Sequence, residues 1–222
     1  MSKNKNFAAV ILAAGIGIRM KSGLPKVMHY LGGMSLVERA IRKIAALGPE
    51  KIIVITGHKA ELVETELSQK LPAGIYKEII FVRQKLLKGS GRAVQEAMSQ
   101  IRRYAHVMVL CGDAPLFRGE TVRKMFGYYC KRSPDCLVMT AELAEPGSYG
   151  RIKRNHAGDV AAIVEAADAD AWEKAIKEVN SGAYFFLVKS LEKSVCGLKK
   201  KGSSGEYYLT DAVENIVAAG GR

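Results

Sequence analysis

The residues best equipped for chemistry gather near the start of the chain. The stretch Leu12-Ala13-Ala14-Gly15-Ile16-Gly17-Ile18-Arg19-Met20 follows an apolar run, Phe7 to Leu12, and is closed six residues after Arg19 by Pro25-Lys26. Two glycines let peptide N–H groups approach an anion with no Cβ in the way. Arg19 and Lys26 add positive charge. Phosphate oxygens take several short, charge-assisted hydrogen bonds at once, so the pattern is that of a loop for a nucleoside triphosphate. A plain tight turn after a strand is the other reading of the same residues. Two familiar phosphate loops are excluded. A Walker loop ends in Gly-Lys-Ser/Thr, whereas Gly17 is followed by Ile18 and Arg19. The dinucleotide fingerprint lacks its third glycine, where Met20 stands, and an acidic residue closing the run Ile52 to Thr56.

Asp113 is the second candidate. It follows an apolar run and Gly112, which puts a carboxylate beside the expected phosphate loop. Mg²⁺ takes octahedral oxygen ligation, often one or two carboxylates completed by phosphates and water, so a single Asp suffices. The same Asp, before Ala114-Pro115, can instead cap a turn or the following helix.

These residues need a scaffold, and the hydrophobic periodicity supplies one. Apolar, β-branched segments recur at 7–12, 51–56, 78–82 and 106–110, separated by amphipathic stretches at 35–47, 59–70 and 90–103. Such alternation predicts an α/β fold: a Rossmann-like, doubly wound, mostly parallel mixed sheet whose crossovers are right-handed. Ligands gather at the carboxyl ends of such strands. Gly15 to Arg19, Gly89-Ser90-Gly91 and Gly112-Asp113 all fall there. The second half changes character. Strands are expected at 135–142, 150–154, 160–165 and 182–188, as a mixed extension of the sheet forming a lobe over an acceptor substrate. Trp172 lies in a short helical segment and is expected to be a packing anchor. Glu206 to Ala219 reads as a helix stopped by Gly220-Gly221, and Lys199 to Gly205 as a loop before it.

Composition sets outer bounds. With 222 residues, 48% of them hydrophobic, the chain suffices for one large core, and a single domain over 1–222 is expected. No apolar run reaches the roughly 18 residues that a membrane helix needs, so no membrane association and a cytoplasmic location are expected. Cys111, Cys130, Cys136 and Cys196 show no CxxC spacing, which points to reduced, mostly buried thiols rather than zinc or disulfides. The net charge of +12 suits an anionic partner. No nucleic-acid binding is expected, because the basic clusters at 83–92 and 198–201 lack interleaved aromatics.

Taken in order, the chain resembles the nucleotidyltransferases that make nucleoside-diphosphate sugars, most closely the uridyltransferases acting on N-acetylglucosamine 1-phosphate. The resemblance is nearly full length. Its marks are Leu12-Ala13-Ala14-Gly15 with Arg19-Met20, Leu24-Pro25-Lys26-Val27, Gln84 with Gly89-Ser90-Gly91, Gly112-Asp113-Ala114-Pro115, Tyr149-Gly150-Arg151-Ile152, Ile163-Val164-Glu165, Asn180-Ser181-Gly182, and Glu206-Tyr207-Tyr208-Leu209-Thr210-Asp211. It implies the nucleotide-diphospho-sugar transferase type of fold, with a nucleotide-binding half at about 1–118 and a sugar-phosphate-binding half at about 119–222. It also implies Mg²⁺-dependent transfer of a uridylyl group from UTP to a sugar 1-phosphate, with release of pyrophosphate and no covalent enzyme intermediate. By the same resemblance Arg19 and Lys26 grip phosphates and Asp113 holds Mg²⁺. Leu12, Ala13, Ala14, Gly15, Gln84, Gly89, Ser90 and Gly112 bind the nucleotide, while Gly150, Glu165 and Asn180 contact the sugar.

The chain also departs from the family. Ile16 and Ile18 stand where polar residues are usual, and Ala167 where a lysine is common. The family draws a second metal ligand, an asparagine, from a segment past the last expected helix, and this sequence stops at Arg222; the β-helical acetyltransferase domain of bifunctional relatives is also missing. The expectation is a standalone enzyme with an altered metal shell, a shortened chain or a degenerate homologue. Another NTP or acceptor, or a noncatalytic nucleotide-binding paralogue, remains the alternative; the oligomeric state is left open.

Overall fold

A computed structural model describes residues 6–201 and 205–222, and for Arg19 the backbone alone. The first half runs β1 (Phe7–Ala13), β2 (Tyr30–Leu31), β3 (Met34–Ser35), α1 (Leu36–Ala45), β4 (Ile52–Thr56), α2 (Ala60–Lys70), α3 (Ala73–Tyr76), β5 (Ile79–Arg83), α4 (Ser90–Ile101), β6 (His106–Cys111) and α5 (Gly119–Arg132). The second half runs β7 (Cys136–Glu142), β8 (Arg151–Arg154), β9 (Val160–Val164), α6 (Ala171–Ala175), β10 (Glu178–Leu187), α7 (Val188–Cys196) and α8 (Thr210–Ala218).

Eight strands form one mixed sheet in the order β5-β4-β1-β6-β10-β8-β9, with β7 on the other side of β10. β5, β4, β1 and β6 pair in parallel; β10 turns antiparallel to β6, and every later pairing is antiparallel. The apolar runs explain the parallel part. Ala8 and Val10 point into a core closed by α4, α7 and α8, while Phe7, Ala9 and Ile11 point into one closed by α1, α2 and α5. With period two, a strand buried on both faces must be apolar at every position, and β4 is buried throughout.

Four expectations are corrected. The helix predicted from Glu206 begins at Thr210, because the preceding backbone has other partners: Lys201 N–H bonds the Glu206 carbonyl at 2.9 Å, Tyr207 N–H the Lys88 carbonyl at 2.9 Å, and Gly91 N–H the Tyr207 carbonyl at 2.8 Å. Trp172 is no packing anchor; it is 87% exposed. Its short helix is held by its own capping box, in which Asp170 accepts from Glu173 N–H and the Glu173 side chain accepts from Asp170 N–H. β10 starts at Glu178, well before the expected Gly182, and absorbs the Asn180-Ser181-Gly182 turn as a register shift between Asn180 and Tyr184. Finally Cys196 is exposed, whereas Cys111, Cys130 and Cys136 are partly buried, and none of the four forms a disulfide among the described residues. The loop expected over Lys199 to Gly205 falls partly outside the described residues. Among the described residues no helix is long and apolar enough to cross a membrane.

Candidate active site

The parallel register brings the strand ends level. Leu12 lies opposite Cys111, Ala13 opposite Thr56, and Thr56 opposite Arg83. The loops after β1, β4, β5 and β6 therefore leave from one edge, the expected place for a ligand. Gly112 N–H bonds the Leu12 carbonyl at 2.9 Å. A Cβ on Gly112 would lie 2.9 Å from that same oxygen, so only glycine lets the ends of β1 and β6 close this tightly. Ala13 and Ala14 are buried, Leu12 half-buried, and Gly15 faces open space, with nothing within 4 Å of where its Cβ would be.

Beyond Gly15 the loop folds back on Lys26. Gly17 has φ +76°, and a Cβ there would sit 2.5 Å from Lys26 Cβ. The sequence motif is thus a packed contact between two segments, and Lys26 stands where the loop closes. Its ammonium pairs with the Asp113 carboxylate, each side chain about one-third exposed. Arg19 lies in the 3-10 turn Ile18–Met20. Ile16 and Ile18, the departures from the family pattern, project apolar side chains at the surface of this loop, Ile18 being 81% exposed.

Gln84, expected from the resemblance to bind the nucleotide, is buried, and its amide nitrogen donates to the carbonyls of Leu86 at 2.9 Å and Gly89 at 3.2 Å. Both N–H groups thus shape the loop. Gly89 has φ +89°, and its Cβ would meet the Tyr207 carbonyl at 2.5 Å. Ser90 Oγ accepts from Leu209 N–H at 3.0 Å. The Gly-Ser-Gly turn is therefore clamped against Tyr207 to Leu209, a contact the sequence did not reveal.

The sugar-side candidates also converge. Asn180 N–H bonds the Gly150 carbonyl at 2.8 Å, and a Cβ on Gly150 would lie 3.6 Å from Glu165 Oε2. Asn180 spends its side chain internally: Nδ2 donates to the Tyr184 hydroxyl at 2.6 Å, and Oδ1 accepts from Gly182 N–H at 3.0 Å. Gly182 passes so close to β6 that a Cβ would lie 2.9 Å from Cys111 Sγ. The turn after Asn180 is thereby packed against Cys111, two residues before Asp113 in the chain. Burial, reinforced by the Asp113 carboxylate, pushes the Cys111 thiol up to about 12, so it stays a neutral packing group.

Glu165 is a perturbed carboxylate of this group. Burial raises its pKa, the charges of Asp211, Asp168 and Glu206 raise it further, and a hydrogen bond from Thr210 opposes them. Thr210 Oγ1 donates to Glu165 Oε1 at 2.9 Å. Where β9 meets α8, Glu165 lines a polar cleft of about 130 Å³ together with Lys153, Asp168, Lys201, Asp211 and Glu214. Asp211 is buried and pairs with Lys201 at 2.8 Å. Thr210 and the Tyr207 carbonyl escaped the sequence reading because the block that carries them was read as one helix, and Lys201 because its segment was read as a loop.

Among the described residues no group of three or more His, Cys, Asp or Glu side chains could hold a metal ion. The arrangement can offer a metal one carboxylate, Asp113.

Comparison with known proteins adds a family and a fold. The MobA-like NTP transferase domain matches residues 9–180. Bifunctional protein GlmU of Streptococcus agalactiae is 39% identical over 213 residues, covering 96% of this chain and 45% of that protein. Its counterpart from Clostridioides difficile is 41% identical over 209 residues, covering 94% and 44%. The chain thus spans less than half the length of these relatives. Among solved structures, UDP-glucose pyrophosphorylase complexed with UDP-glucose superposes with a TM-score of 0.81 at 20% identity, covering 98% of this chain and 89% of that one. HddC from Yersinia pseudotuberculosis gives 0.65 at 23% identity, covering 84% and 79%. At such identities the two structures speak to the fold, which is the α/β sheet expected.

Proposed function

This chain belongs to the family of MobA-like NTP transferase domains and is a nucleotidyltransferase, and on that premise we propose that it transfers a uridylyl group from UTP to a sugar 1-phosphate, with N-acetylglucosamine 1-phosphate the best acceptor. The observation that carries this reading is the meeting of Lys26 with Asp113 where the signature loop closes at the strand edge. The preference for UTP is supported by the match of Gln84 and the Gly89 to Gly91 turn to the base-reading positions of the resembled uridyltransferases. The acceptor is supported by the meeting of Gly150, Glu165 and Asn180.

In this mechanism an oxygen of the acceptor phosphate attacks the α-phosphorus of UTP, a new P–O bond forms, and the bond to the β-phosphate oxygen breaks to release pyrophosphate. No protein nucleophile is needed. Peptide N–H groups after Leu12 and the cations of Arg19 and Lys26 hold the triphosphate, and alignment with the acceptor supplies much of the rate. Lys26 exchanges its Asp113 partner for phosphate oxygens as the nucleotide enters. Asp113 is the residue that would hold Mg²⁺, and a lone carboxylate fits an ion whose other ligands are phosphate oxygens and water. When bound, Mg²⁺ neutralises charge developing on the phosphates. Glu165 accepts from a sugar hydroxyl through the oxygen that faces Gly150.

The chain acts as one catalytic unit over 1–222, with residues of about 1–118 serving the nucleotide and of about 119–222 the sugar phosphate. The cytoplasm, which holds the nucleotide pool, is the proposed location. The test is pyrophosphate release with Mg²⁺ across the four NTPs and a panel of sugar 1-phosphates. Fastest release with UTP and N-acetylglucosamine 1-phosphate is expected. A purine preference would overturn the base assignment, and no release with any pair would overturn the reaction.

A further inference from the structure

Glu165 does not hold its place alone. Its Oε1 accepts from Thr210 Oγ1 at 2.9 Å, while its Oε2 is the oxygen near Gly150, on the side where the sugar contacts meet. Thr210 is 3% exposed and is the first residue of α8. A buried hydroxyl needs a partner, and this one spends its proton on a carboxylate of another element, 45 residues away in sequence. The start of α8 is pinned from outside as well: Lys201 Nζ pairs with Asp211 Oδ1 at 2.8 Å and reaches Glu214 at 3.4 Å. The segment just before it grips the base-side turn, through Tyr207 O to Gly91 N–H and Leu209 N–H to Ser90 Oγ.

We infer that Thr210 is a positioning residue for sugar recognition: it fixes one oxygen of Glu165 so that the other faces the acceptor. The same segment, Glu206 to Asp211, joins the sugar carboxylate to the loop that meets the base, so α8 braces both substrate positions from behind. This rests on the acceptor role given to Glu165 under the proposed function. Thr210 touches neither substrate; it acts through Glu165.

The charged surroundings sharpen the consequence. Asp168 follows β9, Glu206 precedes α8, and Asp211 lies on α8; all three raise the Glu165 pKa, as burial does first. Glu165 in turn bears on Cys111 at the end of β6 and Tyr184 on β10, both neutral. Lys153, Lys201 and Glu214 line the cleft with it. Among the described residues, the Thr210 hydroxyl is the influence on Glu165 that favours the carboxylate form. Removing it moves Glu165 further up.

The test compares the full chain with Thr210→Val and Thr210→Ser, measuring pyrophosphate release from UTP and N-acetylglucosamine 1-phosphate against pH. In Thr210→Val, KM for the sugar phosphate is expected to rise about tenfold with KM for UTP unchanged, and the acid limb of kcat/KM to move to higher pH. Thr210→Ser, which restores the hydroxyl, returns both. Equal changes in both KM values with an unmoved acid limb, or no rescue by serine, would overturn the inference. In parallel, the Glu165 carboxyl is titrated by ¹³C NMR without substrate, assigned through Glu165→Gln. A wild type that turns over no sugar phosphate sinks the proposed acceptor. The titration still judges Thr210 in that case: an upward shift in Thr210→Val reversed by Thr210→Ser supports its hold on Glu165, and no shift refutes it.

Discussion

The parallel and antiparallel halves of the sheet build their parts of the site by different routes. In the parallel half, Gly15, Gln84, Gly112 and Asp113 each stand within two residues of the end of a strand. β1, β4 and β6 are buried on both faces and β5 is a partly buried edge strand; their ends are level, and whatever follows them lands on the same edge. In the antiparallel half, Gly150, Glu165 and Asn180 flank or lie in β8, β9 and β10, and Thr210 comes from α8. These meet only through contacts across the fold, such as Asn180 N–H to the Gly150 carbonyl at 2.8 Å and Thr210 to Glu165 at 2.9 Å. On the proposed roles, phosphate chemistry and base reading fall to local loops at one sheet edge, and sugar recognition to a long-range network.

This contrast predicts that substitutions in the first half strike turnover and spare the fold, whereas those touching the network affect recognition or stability. The largest effect is expected at Asp113. Asp113→Asn should lower turnover at least about a hundredfold, electrostatic stabilisation of this kind being worth ~3 kcal/mol. Its melting temperature should stay within about 2 °C of wild type, since a partly exposed ion pair contributes little. Pyrophosphate release and thermal melts check both, and a protein that melts much earlier would erase the contrast.

Gly89 tests the clamp between halves. Gly89→Ala forces a Cβ toward the Tyr207 carbonyl at a backbone angle that side chains rarely adopt, so urea denaturation should show a loss of about 2 kcal/mol. Calorimetry should show weakened UTP binding too. Wild-type values for both would separate the base loop from the C-terminal segment.

Glu165 gives a smaller effect with a definite sign. Its folded-state pKa lies above the ordinary 4.5. In the window from 4.5 up to that raised value the folded chain retains a proton that the unfolded chain has released, so wild-type stability falls as pH climbs through it. Glu165→Gln removes this contribution, and its stability relative to wild type should improve with rising pH across the window. Some slope should persist in the variant, because burial also raises Asp211. Urea midpoints measured at several pH values decide; a constant difference would mean that Glu165 is not held above its usual range.

The smallest effect belongs to Trp172. Trp172→Ala should change stability by less than about 0.5 kcal/mol, as expected for an exposed side chain. A larger loss would restore the packing role that its size suggested.

Much of the first half was legible in the chain itself. β1, β4 and β6 show as apolar runs because both faces are buried, β5 keeps an apolar run although it is a partly buried edge strand, and α1, α2 and α4 show as amphipathic stretches because one face is buried. Lys26 and Asp113 could be picked out because each follows a short signature, and the structure pairs them. The second half was less readable. Its strands β7 and β9 are only partly buried, and β10 carries a register shift at Asn180 that looks like a turn in sequence.

What the sequence determined by itself was therefore whatever depends on local periodicity and on residues close to a strand end: the α/β order, the glycine loop after β1 and the carboxylate beside it. Tertiary structure decided the rest. Tyr207 follows the periodicity of a helix, yet its backbone binds Lys88 and Gly91 instead, and α8 starts at Thr210. Trp172 has the size of a core residue but lies on a helix stabilised by its own cap. Thr210 reaches Glu165 because α8 lies on β9, and no spacing along the chain encodes that contact. The physical reason is common to all three. A hydrogen bond or a buried surface is satisfied by whichever group the fold brings within reach, and for these residues that group lies on a different element or the fold leaves it out.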